Sequence, residues 1–311
     1  DIDGALDAFD RAIEVFSNSS EEGRRGRAAT LVNKGMLLSS TGTAEALARA
    51  VETFASATEA VAGDEAPYHS AMADHARGVA EMDLAAVDHN ERDTHLRRAV
   101  RAFEESLAFF TRTGFPYQHS LAKHNLGRAL LGLGGEGSAL SALVAVEDAV
   151  AVLDPRIHRT EWEHALASLG EIETALAEVH PGVSRRGLFV VLFESSDRDE
   201  RAALLVNRLT RVLALPPDAR HSALRELAAA SLRATDDGLA YIGIELTVLT
   251  ELPNEHLESA LRARLAAHGE LDGERREAAD RALDQAVGDA LNGPQRVFVR
   301  DFLAANGFER P

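Results

Sequence analysis

Four short stretches of the chain share one pattern of apolar positions. "ALDAF" (5–9), "AVETF" (50–54), "AVRAF" (99–103) and "ALVAV" (142–146) each set Ala before an aliphatic residue, with Phe or Val three positions further on. Apolar side chains at i, i+1 and i+4 make one face of a helix. The stretches recur at intervals of 45, 49 and 43 residues. Between them runs a second type of segment that ends in Gly: "RAATLVNKG" at Gly35, "PYHSAMADHARG" at Gly78, "PYQHSLAKHNLG" at Gly127 and "WEHALASLG" at Gly170. These glycines are spaced 43, 49 and 43 residues apart, and a small residue (Thr30, Ala73, Ala122 or Ala165) stands five positions before each. Pro is scarce while Ala, Leu, Arg and Glu abound, so both segment types predict helices.

Helix pairs at one period predict a solenoid, in which no pair buries its apolar face alone and stacked neighbours do. The first pair lacks its leading helix, as expected of a chain that starts within a repeat and without Met. Residues 183–311 carry no clean copy of the pattern. Breakers at Pro216-Pro217, Gly238, Pro253, Gly269, Gly273 and Gly293-Pro294 divide them into about five helices. The last, in "NGPQRVFVRDFLAANGF", predicts Asn292 or Gly293 at the N-cap, Pro294 in the first turn and Gly307 at the C-terminal end. Val297, Val299, Phe302 and Leu303 are then expected to pack inward. The chain therefore divides into helical repeats over 1–182 and an α-helical closing domain over 183–311, with an all-α fold throughout.

Asn-Leu-Gly at 125–127, Asn-Lys-Gly at 33–35 and the Ala-x-x-x-Phe second helices resemble tetratricopeptide repeats. The period exceeds the usual ~34 residues, so residues 1–180 are similar to the long-helix variety of that superfamily. The Trp of the first helix and the Pro after the second, common in the family, are mostly absent here. The resemblance implies that the first helix of each pair lines a concave side where a ligand binds.

Placed on the glycines, that side has three rows. Three residues before the Gly stand Val32, His75, His124 and Ala167; one after it, Met36, Val79, Arg128 and Glu171; four after it, Ser39, Met82, Leu131 and Thr174. Neighbouring helices pack about 8–10 Å apart, which leaves room for a ligand between the side chains of His75 and His124. Those two histidines are the candidate acid/base groups; the competing reading makes them packed, hydrogen-bonded residues duplicated with the repeat. Tyr68 and Tyr117, beside Pro67 and Pro116, are expected to cover the start of their helices. Lys34 and Arg77 precede the glycine where the family prefers an apolar side chain. A cation there needs either an anionic ligand or an acidic partner in the protein. The candidate ligand-binding set is Lys34, His75, Arg77, Lys123, His124, Asn125, Arg128 and Tyr241.

Composition narrows the chemistry. The 311 residues carry a net charge of −17 and no cysteine. The charge argues against direct nucleic-acid binding and anionic membranes, because neutralising phosphates needs a basic face. The missing cysteines exclude disulfides, thiolate catalysis and Cys-based zinc sites, and agree with a cytoplasmic location. No apolar run approaches the ~18 residues of a membrane span. Only Lys34 and Lys123 among the 33 basic residues are lysines, a bias expected of a GC-rich bacterial genome.

Catalytic and metal signatures fail one by one. "DHNERDTH" (88–95) begins like a calcium loop, but it puts Arg92 at a ligand position and lacks the required Gly; a solvated loop with Asp93 or Thr94 capping the next helix fits it better. One Glu-x-x-His, in "EWEH" (161–164), falls short of the two a di-iron bundle needs. No phosphate loop, dinucleotide fingerprint or Gly-x-Ser-x-Gly turn occurs. Asp237, Tyr241 and Glu245, at i, i+4 and i+8, form either a polar cavity lining or a solvent face. No cofactor or metal is expected. The resulting expectation is a scaffold that holds a peptide, a partner protein or a small anionic ligand. Two alternatives stand beside it: an enzyme of specialised metabolism with a histidine acid/base and Arg or Lys holding an anion, and the ligand-sensing half of a transcriptional regulator. Homo- and hetero-oligomers are both compatible with the sequence.

Overall fold

A computed structural model describes residues 2–16, 20–62, 67–179, 193, 198–232 and 238–308. The all-helical expectation holds: these residues form 14 helices and no strand. Two compact units divide the chain, Asp1–Ile172 and Glu173–Pro311.

Unit 1 contains α1 (Ile2–Val15), α2 (Glu21–Ser39), α3 (Ala44–Ala60), α4 (Pro67–Val87), α5 (Arg92–Leu107), α6 (Pro116–Leu133), α7 (Glu136–Val152) and most of α8 (Arg159–Val179). Local chemistry fixes their starts. Ser20 Oγ accepts the Gly23 N–H at 3.0 Å and Thr43 Oγ1 that of Ala46 at 3.3 Å, each taking a donor the first turn leaves free. Pro116 stands in the first turn of α6, where its missing N–H costs nothing. Before α5 the caps differ from expectation. Asp88 Oδ1 accepts from the Asn90 and Glu91 N–H groups, and neither Asp93 nor Thr94 caps the helix, because both already lie inside it.

The recurring glycines have a packing reason. Helices α2, α4 and α6 pack most closely on α3, α5 and α7 respectively. A Cβ at Gly35 would meet the Phe54 ring at 2.5 Å, one at Gly78 the Phe103 ring at 2.6 Å, and one at Gly127 would strike Val146 Cγ2. In α2, α4 and α6 the Gly thus accepts the Phe or Val of the following helix, whereas no described side chain lies within 4 Å of a Cβ built at Gly170. Phe54, Phe103 and Val146 are buried, as are Ala50, Ala99 and Ala142 four residues earlier. The matching positions in α1 (Ala5, Leu6, Phe9) are only half-buried. Pairs then join to one another: α3 packs on α4, α5 on α6, and the first helices α2, α4 and α6 touch in succession.

In unit 2 the helices are α9 (Arg198–Leu213), α10 (Pro217–Ser231), α11 (Gly238–Thr250), α12 (Asn254–Gly269), α13 (Gly273–Ala290) and α14 (Gly293–Ala305). Among the described residues of this unit that is one more than the breakers predict, and every breaker stands at a helix boundary. The most extensive packing here joins helices two apart, α10 with α12 and α11 with α13. Asn292 and Gln295 close a capping box at α14, and Gly307 ends it with φ 81°. Val299 and Leu303 are buried, whereas Val297 is 60% exposed, contrary to expectation. Two residues from Val299 on a helix, it points to the opposite side.

Candidate functional site

The proposed face is built from α4, α6 and α8. His124 and Arg128 lie one turn apart on α6, and His164 and Ser168 one turn apart on α8, so each pair shares a face. Ser168 is buried and its hydroxyl bonds His124 Nε2 at 2.9 Å. Arg128 projects into solvent and makes no hydrogen bond or ion pair among the described residues. It is close enough to act electrostatically on His124 beside it and on Asp83 of α4.

That environment sets the charges. Burial, then the nearby Arg128 and His164, push the His124 imidazole down to about 4. It is therefore neutral at pH 7, a hydrogen-bonding group and not a cation. The Asp83 carboxyl is raised by partial withdrawal from water, against the pull of Arg128. The face thus presents one unpaired guanidinium between a neutral imidazole and a carboxyl.

The two matched histidines are not equivalent. His75 is half-buried with its ring edge-on to Phe103 at 5.5 Å, and it makes no hydrogen bond among the described residues. Burial alone lowers it to about 4. No hydrogen bond or ring contact joins it to His124 among the described residues. Asn125, half-buried beside His124, makes no hydrogen bond among the described residues either.

The other candidate cations are engaged inside the protein. Lys34 Nζ meets Asp10 Oδ1 of α1 at 2.5 Å. Arg77 Nη2 meets Asp74 at 3.0 Å and also Glu105 of α5. Lys123 lies 3.6 Å from Asp148 of α7, which also receives Arg112 at 3.3 Å and His119 at 2.9 Å. Burial would raise the Asp148 carboxyl, but the His119 hydrogen bond and these cations outweigh it and hold it below the ordinary range. Tyr241 belongs to neither group: it is fully buried in unit 2. Val32, given a place on the face, is also buried.

Sequence reasoning passed over Asp83 and Ser168 and weighed His164 only as the histidine of a Glu-x-x-His. All three occupy registers other than the three rows counted from the glycines. Four-residue spacing along α8 pairs His164 with Ser168, and that is the signal by which they could have been found. His119, five positions before His124 on the same helix, turns out to be a buried structural histidine, bonded to the Phe110 carbonyl and Asp148 at 2.9 Å each.

In unit 2, Tyr241 and Glu245 of α11 face Arg264 of α12. Arg264 Nε and Nη2 reach Glu245 Oε2 at 3.1 and 2.5 Å, and Nη1 reaches Ser231 Oγ at 3.2 Å. All four residues are buried. Glu245 is thus neither on a solvent face nor at a cavity wall but in an internal ion pair; Asp237 lies outside the described residues. Burial, then the Glu245 charge, raise the Tyr241 phenol well above its ordinary value.

Among the described residues no three His, Asp or Glu side chains are placed to hold a metal ion, and no helix is long and apolar enough to cross a membrane. No family model matches the chain, and no curated protein matches it either.

Proposed function

We propose that residues 1–172 form a tetratricopeptide-like binding scaffold whose first-helix face holds the acidic group of a peptide or partner-protein segment. The observation that carries this reading is Arg128. Lys34, Arg77 and Lys123 each have a carboxylate partner in the protein, while Arg128 stands exposed with no hydrogen bond or ion pair among the described residues and only the longer-range attraction of Asp83. A planar guanidinium with all five N–H donors uncommitted suits a carboxylate, which it can bind bidentately. Neutral His124, fixed by Ser168, adds a directional hydrogen-bonding group beside it. Asp83, across from Arg128, offers an acceptor for a peptide N–H or a ligand cation.

The same features favour binding over acid/base chemistry. An imidazole held near 4 is a weak base at neutral pH, where general catalysis works best with a pKa close to the operating pH. A peptide library with free carboxyl ends, selected on the wild-type chain and on Arg128→Ala, tests the reading. Sequences ending in or rich in Asp and Glu should be enriched on the wild type alone. Equal enrichment on both proteins contradicts it.

A further inference from the structure

We propose that unit 2 carries a small-oxyanion site between α10 and α12, independent of the face on unit 1. A cavity of about 110 Å³ opens there, lined by Pro217, Arg220, His221, Ser259 and Arg262. Three of its five lining side chains are basic or can become so, and none is acidic. In a chain of net charge −17, a cavity of that composition concentrates positive potential where the rest of the surface repels anions.

The donors are available. Arg220 Nε and Nη2 both bond the Leu215 carbonyl, at 3.3 and 3.2 Å, which fixes the guanidinium and leaves Nη1 uncommitted. Arg262 is steadied over the Phe302 ring at 5.0 Å and by Asn306 Oδ1 at 3.0 Å. Its acidic neighbour, Glu258, lies 3.7 Å away in an exposed pair, a weak competitor. The Ser259 hydroxyl and the His221 ring make no hydrogen bond among the described residues. Asp218, in the first turn of α10, is exposed and does not line the cavity. A liquid water occupies ≈ 30 Å³, so the cavity has room for about three or four waters, or one tetrahedral oxyanion. A nucleotide would not fit inside it. Since the cavity opens to solvent, the fourth oxygen of a phosphate could instead carry an ester group outward.

Phosphate is the oxyanion class that Arg forks and a hydroxyl bind best. Titration of the full 311-residue chain with inorganic phosphate, at an ionic strength held constant with chloride, should give a saturable rise in melting temperature. Arg262→Gln, exposed and outside the core, should weaken the apparent affinity by about tenfold through loss of a charge-assisted fork. Ser259→Ala should weaken it less, with unchanged circular dichroism. Tighter binding of phenyl phosphate than of inorganic phosphate would identify a phosphorylated partner molecule, and equal or weaker binding free phosphate. The inference is overturned if phosphate gives no more than the matched chloride, or if Arg262→Gln that folds normally binds phosphate as the wild type does.

Discussion

A single methyl group measures how the helix pairs are fitted. Gly78 lies against the ring of Phe103, which is 0% exposed, and an added Cβ would sit 2.6 Å from a ring carbon. Alanine is the better helix former by ~1 kcal/mol, but forcing a carbon into a filled core costs about 1–3 kcal/mol. Gly78→Ala should therefore lower stability by about 1 kcal/mol in denaturant unfolding. Combined with Phe103→Leu, which shortens the opposing side chain, it should cost less than the two changes summed. Strict additivity would mean the two residues do not touch.

The residue scale also predicts a response to acid. His75, lowered to about 4 by burial, has a folded value below the ~6.5 of an unfolded histidine. Between those values the unfolded chain binds more protons, so the stability contributed by neutral His75 is complete above pH 6.5 and declines as pH falls towards 4. At pH 5 the loss is at most about 2 kcal/mol. His75→Leu should abolish that part of the decline between pH 7 and pH 5. A decline identical to that of the wild type would show that His75 does not titrate in this environment.

At the scale of elements, the sequence was legible where a local rule suffices. The period and glycine register were legible because they recur along the chain, and the helix starts at Pro67, Pro116 and Pro217 and the Asn292 cap follow from backbone chemistry within a few residues. Partnership across helices was not. Nothing local says that Lys34 finds Asp10, or that Arg264 finds Glu245 nineteen residues away. Tyr241 and Glu245 looked amphipathic in sequence because a buried ion pair and a solvent face use the same residue types. The Glu245–Arg264 pair tests this directly. Glu245→Ala should cost about 3–5 kcal/mol by stranding a buried guanidinium, while exchanging both partners for apolar residues should cost far less. A loss below ~1 kcal/mol for the single change would place the pair in water.

On the scale of the whole molecule, the two units carry different kinds of polar chemistry. Unit 1 pairs Lys34, Arg77, Arg112 and Lys123 with carboxylates of neighbouring helices and leaves Arg128 exposed beside His124 on one face. Unit 2 buries an ion pair and gathers basic side chains around one small cavity. Repetition accounts for the first arrangement only in part: the duplicated Pro-Tyr, Ala, His and Gly positions give the matched helices their shape, yet His75 rests on Phe103 and His124 on Ser168. The site therefore draws on the copy at α6 and on what α4 and α8 set beside it. Amide chemical-shift mapping of the chain with a selected acidic peptide tests that claim most directly. The account predicts perturbations centred on Asp83, His124, Arg128 and Ser168, lost in Arg128→Ala. Shifts centred instead on the second helices α3, α5 and α7, or retained in full by Arg128→Ala, would contradict it.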